Sequence, residues 1–301
     1  MMRVGADASV AGVFDACGTG LGARFGGGRV TGCVGIDFAE LVSDFLATTT
    51  LLTADGPVNS AEPLRAAVRR LLGDGVLIVV VHPGWRAAHR TLMAEALAPL
   101  GVPVRQVPEW YAVLRAIPDL DDAADGTEVL VTSVGTRKTR LWQVQKIDDV
   151  WHDTAALTTG VGVASVAHAV TDAVAPEPSE ETLRALIEGG AVDLRGETRT
   201  AAFRAFDGAA TDLADAVGDL FDRVPRSAAG SAVIVLTGPG ASLTAVRREV
   251  EDRTRSAPVP LACPEAWAAL YGAARRWATA LGTPVQESRT FPAFTMENLI
   301  C

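Results

Sequence analysis

The most constraining stretch of the chain is Val233-Ile-Val-Leu-Thr-Gly-Pro-Gly-Ala-Ser242. A run of apolar, mostly β-branched residues predicts a buried strand, and the two glycines around a proline end it abruptly. Helical spacing resumes at Thr244–Glu251. A strand–Gly-x-Gly–helix junction aims backbone N–H groups beyond the end of a sheet, often at a nucleotide. Gly238, Gly240 and Ser242 are therefore candidate nucleotide-facing residues, with a plain strand–helix turn as the alternative. A second segment, Pro264-Glu-Ala-Trp-Ala-Ala-Leu-Tyr-Gly-Ala-Ala274, predicts a helix with small residues on one face, which lets another backbone come close.

Composition narrows the class. With 301 residues, 49% of them hydrophobic, the chain can bury a large core or two, and broad disorder is excluded. A net charge of −9 argues against a nucleic-acid surface. Cys17, Cys33, Cys263 and Cys301 are scattered without a C-x-x-C pair, so neither a zinc site nor a redox pair is expected. No metal site is read from the four histidines, His82, His89, His152 and His168. No signal sequence or membrane span is read, so a cytoplasmic protein with reduced thiols is expected. Heavy Ala, Val, Gly and Arg usage, with lysine only at Lys138 and Lys146, suggests a GC-rich bacterial genome.

Along the chain, Arg3–Asp7 and Val10–Phe14 predict two short strands with a turn at Ala8-Ser9, and Arg29–Val34 a third. Helices are expected over 37–47, 61–72, 86–97 and 109–116, with strands at Val76–Val81 and Pro103–Val107. The acidic loop Asp119–Asp125 divides the chain. Beyond it, strands Glu128–Val134 and Thr139–Lys146 flank the turn Gly135–Lys138. Helices over 161–173, 180–190 and 209–223 lead to strand Val233–Leu236, helix Thr244–Glu251, strand Val259–Ala262 and helix Glu265–Ala280. Each half thus opens on a hairpin and closes on βαβα, which gives lobes over 1–122 and 123–280 and a tail over 281–301.

In this order the segments resemble the nucleotide-binding fold shared by actin and the DnaK-type heat-shock chaperones (the ASKHA superfamily). The resemblance covers about residues 3–280. It runs through Val4–Phe14 as first phosphate hairpin, Val79–Pro83 with the following helix, and Pro108–Ala112 as first connecting helix. Val131–Thr136 with Arg140–Val144 stands as second phosphate hairpin, Thr237–Ser242 as adenosine loop and Pro264–Ala274 as second connecting helix. It implies an α/β, two-lobed actin-like or Hsp70-like fold, duplicated and ribonuclease H-like, with ATP and Mg²⁺ as possible cofactors. It also implies a cleft lined by the Asp7, Gly135 and Gly238 loops. More narrowly, the His82-Pro-Gly-Trp85 strand end, the Trp110 segment and the composition are similar to the chaperone-like region of actinobacterial type VII secretion-associated proteins. That likeness implies a protein partner, possibly the secretion machinery.

The departures from the family are informative. Asp7 is the candidate catalytic acid, but the expected glycine–threonine stretch after it is missing. The second hairpin reads Ser133-Val-Gly-Thr-Arg-Lys138, with serine in the place of the family's acid and two glycines lost. Gly135 and Thr136 remain as nucleotide-binding candidates. Arg137 and Lys138 read either as phosphate contacts or as hairpin-tip charges. Hydrolysis is expected to be very slow or absent, since one carboxylate and much of the cradle are gone. The favoured expectation is a degenerate scaffold or regulator (a pseudo-ATPase); the alternative is an active ATP-binding switch. A sugar-kinase-like enzyme would need an acid at the first connecting segment, where only Glu109 stands. No peptide-binding domain is expected after Ala280.

Other motifs carry less. Gly18-Thr-Gly-Leu-Gly-Ala23 matches a dinucleotide pattern, but Arg24-Phe-Gly-Gly-Gly28 will not start the helix it requires. Val34-Gly-Ile-Asp37 imitates a phosphate-loop start. Cys263 precedes a helix and reads as either an activated thiol or a core residue. Arg195–Arg199 with Phe203 resembles the chaperone helix that flanks adenine. Finally, Gly272 costs a helix about 1 kcal/mol relative to alanine. In this fold it would sit, with Ala268, where the last helix crosses the segment Trp110–Val113. Gly272→Leu should then overpack, and Gly272→Ala should be nearly harmless.

Overall fold

The computed structural model describes residues 10–17, 19–26, 29–34, 38–47, 50–53, 56–59, 61–72, 75–174, 179–187, 196–225 and 232–280. In chain order these form β1 (Val10–Asp15), β2 (Gly22–Gly26), β3 (Arg29–Val34), α1 (Phe38–Ala47), β4 (Thr50–Thr53), β5 (Gly56–Asn59), α2 (Ala61–Arg69), β6 (Leu77–Val81), α3 (Ala87–Leu97), β7 (Val104–Pro108) and α4 (Glu109–Leu114). Then come β8 (Glu128–Val134), β9 (Thr139–Ile147), β10 (Val150–Thr159), α5 (Val163–Ala173), α6 (Glu180–Ile187), α7 (Gly196–Arg223), β11 (Val233–Thr237), α8 (Thr244–Thr254) and α9 (Ala268–Ala280). Two compact units result. Among the described residues the first holds 10–118 and 267–280, and the second holds 119–266. The last helix, α9, packs in the first unit, although its chain position had placed it with the second. No helix among the described residues is long and apolar enough to cross a membrane.

The first unit is built on a five-stranded sheet in the order β3-β2-β1-β6-β7. Strands β1–β3 form an antiparallel meander, and β1, β6 and β7 run parallel. Every residue of β6 is buried, as its unbroken Leu-Ile-Val-Val-Val run predicts for a strand covered on both faces. Leu77, Val79 and Val81 pack with Phe14 against Phe38, Leu64, Val68, Met93 and Leu97 of α1–α3. α4 and α9 lie against the sheet and against each other.

This sheet corrects the position of the first hairpin. Gly12, Val13 and Phe14 are paired on one edge with β2 and on the other with β6. A strand has two edges, so both edges of Gly12–Phe14 are taken. The hairpin turn lies instead between Asp15 and Gly22. Arg3–Asp7, including Asp7, lie outside the described residues.

The second unit carries a four-stranded sheet in the order β10-β9-β8-β11, antiparallel except for the parallel β8–β11 pair. The 28-residue α7 packs on α5 and α8. Leu213, Val217, Leu220 and Phe221 of α7 join Val166 and Val170 of α5, Val246 and Val250 of α8, and Leu141, Ile234 and Leu236 of the sheet. Val259–Ala262 is not a strand. One backbone bond, Val259 N–H to Ile234 O at 2.8 Å, joins it to β11. Pro258 and Pro260 supply no N–H, which stops a ladder from forming. Both sheets repeat one plan: an antiparallel three-strand meander whose first strand pairs in parallel with the strand that follows the helices.

Candidate functional site

In the second unit, β8 and β11 end side by side, with Ser133 opposite Thr237 in the parallel register and opposite Arg140 in β9. The β8–β9 turn follows. Gly135 N–H donates to Lys138 O at 3.0 Å, closing the hairpin. Gly135 O accepts from Val163 N–H at 3.0 Å, and Thr136 O from Ala164 N–H at 2.9 Å. The turn thereby caps the N-terminus of α5, whose first N–H groups have no partner within the helix. Thr136 is 5% exposed, and its buried Oγ1 has no hydrogen-bond partner. Arg137 and Lys138 are exposed.

The loop after β11 fits against this turn. Gly238 N–H donates to Glu265 O at 3.0 Å, and Thr237 Oγ1 donates to the same carbonyl at 2.8 Å. The Glu265 carboxylate is paired in turn with Arg247. Gly238 has φ +90°, and a Cβ there would lie 2.5 Å from Val134 O. A Cβ on Gly240 would lie 2.3 Å from Val134 Cγ1. So Gly135, Thr136, Gly238 and Gly240 are brought together around Val134. Ser242 is exposed, and its hydroxyl donates to Pro239 O at 3.2 Å. The N–H groups of Gly135 and Gly238 are engaged by the protein's own carbonyls.

Gly238 carries both a positive φ and a backbone contact, so Gly238→Ala is expected to cost on the order of 2–4 kcal/mol. The urea midpoint measures this. An unchanged midpoint would mean that the loop is not held against β8.

In the first unit, the hairpin turn that follows β1 is organised by a buried acid the sequence reading missed. Asp15 is 0% exposed. Its Oδ2 accepts from Thr19 N–H at 2.6 Å and Thr19 Oγ1 at 3.0 Å, and its Oδ1 accepts from Cys17 N–H at 2.9 Å. The Cys17 thiol lies 3.4 Å from Asp15 Oδ1 and 3.3 Å from Glu109 Oε2. Glu109 opens α4 and is 2% exposed, so one thiol bridges two buried carboxylates. Phe38 N–H donates to Gly20 O at 2.9 Å and ties the turn to α1. The sequence signal was present: an apolar strand ending in Asp15, then Gly18-Thr19-Gly20, then a second strand. The same glycines match a dinucleotide pattern, and, as the sequence indicated, no helix follows them but β2.

Asp15, Glu109 and Thr19 bring two carboxylates and a hydroxyl together around the Cys17 thiol at this turn. No group of three or more His, Cys, Asp or Glu residues suited to direct metal ligation occurs among the described residues. Cys263 is a core residue, and burial, then the nearby Glu265, push its thiol far up; the activated-thiol reading is not supported. Arg199 stacks over Phe203 within α7, with 5.6 Å from guanidinium to ring centre, while Arg195 lies outside the described residues.

No protein-family model matches the chain, and no curated protein matches it. Among solved structures, the ethanolamine utilization protein EutJ from Carboxydothermus hydrogenoformans superposes with a TM-score of 0.51 at 15% identity, over 88% of each chain. The fold is the actin-like, Hsp70-like α/β fold.

Proposed function

We propose that this actin-like module works as a scaffold or regulator, with ATP turnover very slow or absent. The observation that carries this is the β8–β9 turn. Its acid is replaced by Ser133, its Gly135 N–H closes the hairpin, and its carbonyls cap α5. A loop so occupied offers few donors to a γ-phosphate. The partner is a protein; the likeness of the His82–Trp85 and Trp110 segments to type VII secretion-associated proteins supports a place beside that machinery in the actinobacterial cytoplasm.

A second reading, an active switch that binds and hydrolyses ATP at the first hairpin turn with Mg²⁺, is favoured by the buried Asp15, Thr19 and Glu109 set. Titration of the full chain with ATP and Mg²⁺, followed by phosphate-release kinetics, separates the two. The scaffold reading expects no turnover above the protein-free control, whether or not nucleotide binds. Robust Mg²⁺-dependent turnover that Asp15→Asn abolishes would overturn it.

A further inference from the structure

We propose that the first unit binds a small amphipathic carboxylate, with an apolar or aromatic body, in a pocket between β7 and α9. The pocket has a volume of about 270 Å³. That is room for one ring with a short chain.

Its lining has three tiers. Ile78 and Val107 form an apolar floor, and Tyr111 of α4 and Trp277 of α9 form aromatic walls. Arg105 and Arg276 stand at the rim, both exposed. Ile78 pairs in register with Arg105, so the floor and one rim cation lie on the same face of the sheet. Among the described residues, neither rim arginine has a carboxylate partner. The Trp277 Nε1–H is buried and also lacks an acceptor. The Tyr111 hydroxyl accepts from Arg115 at 3.1 Å.

Charge complementarity selects the occupant. The chain carries a net charge of −9, yet two guanidinium groups with no carboxylate partner among the described residues line the same pocket as the apolar floor. An apolar body covers the floor and walls, and a carboxylate meets the donors, arginine offering it a bidentate fork. A neutral ligand of the same shape leaves the donors unanswered.

The test uses the full chain with 4-phenylbutyrate and 4-phenylbutan-1-ol as probes, read by saturation-transfer NMR and isothermal titration. The acid should bind in the millimolar range or tighter, about tenfold or more tighter than the alcohol. Its affinity should fall with added salt. The variant carrying Arg105→Gln and Arg276→Gln should lose that preference while keeping the wild-type melting midpoint, since both sites are exposed. Three results would overturn the proposal: no binding of the acid up to about 10 mM, equal affinity for acid and alcohol in the unaltered chain, or unchanged acid affinity in the double variant. The acid–alcohol comparison needs no variant, so a folding failure in the mutant leaves the test intact.

Discussion

Replacing Gly272 with leucine is expected to leave the first unit unable to fold stably. A Cβ at this position would lie 1.8 Å from Ala112 O and 2.9 Å from Ala116 N. These are backbone atoms of α4 and of the turn after it, so no side-chain rotation relieves the contact. Arg275 strengthens the same crossing by donating to Arg115 O at 2.8 Å. The structure also revises the expectation for alanine. Gly272→Ala gains about 1 kcal/mol of helix propensity. A contact of 1.8 Å forces α4 and α9 apart all the same, and overpacking costs about 1–3 kcal/mol or more. A 1.8 Å contact with backbone takes the upper end of that range, so the net expectation is a destabilisation of about 2 kcal/mol for alanine and at least about 4 kcal/mol for leucine. Urea unfolding followed by circular dichroism reads both. An alanine variant as stable as the parent would mean that the two helices do not cross backbone to backbone.

The second large effect is expected at Asp15. Its carboxylate accepts from two backbone N–H groups and one hydroxyl at a fully buried position. Asp15→Ala removes the acceptor and leaves those donors enclosed. Each unsatisfied buried group costs about 1–3 kcal/mol, so a loss of about 3–5 kcal/mol is expected. Asp15→Asn keeps one carbonyl oxygen and should cost clearly less. Amide exchange at both Cys17 and Thr19 should accelerate in the alanine variant, and at only one of them in the asparagine variant, whose single carbonyl oxygen keeps one of the two N–H bonds. Slow exchange at both positions in Asp15→Ala would show that the turn is held by something other than this side chain.

The two experiments bear on different parts of the fold, and they were not equally legible in the sequence. Gly272 was visible as a costly residue inside a helix with a small face, and the crossing partner near Ala112 came from the resemblance to the chaperone fold. The distance did not: helical spacing says which face is small, not how near the neighbour comes. Asp15 was read past altogether. Its strand continues the apolar run of Val10–Phe14, so the acid looked like the residue after a strand that had already done its pairing. Only the two occupied edges of β1 show that the hairpin opens there.

Strands β10 and the β4–β5 pair were also unread. β10 is an edge strand with a bulge between Asp153 and Ala155, whose inward positions Ala155, Leu157 and Thr159 are only partly buried and of mixed polarity, and the short β4–β5 hairpin pairs only with itself among the described residues. Neither offers a strong period of two. Conversely, Val259–Ala262 had strand-like residues, but two prolines decided the matter locally.

The sequence by itself determined the pieces whose cause is local. The unbroken apolar run of β6 demanded burial on both faces. The Thr237–Gly240 break demanded a turn, with Gly238 taking the positive φ. The repeated order of hairpin, helix and parallel strand demanded an α/β plan laid down twice. Tertiary structure decided what depends on partners far along the chain. It placed α9 in the first unit, set Cys17 between Asp15 and Glu109, and spent the Gly135 and Gly238 N–H groups on Lys138 O and Glu265 O. The reason is physical. Periodicity and turn chemistry act within a few residues, whereas edge pairing, close helix crossings and the fate of a donor are settled only when distant segments meet.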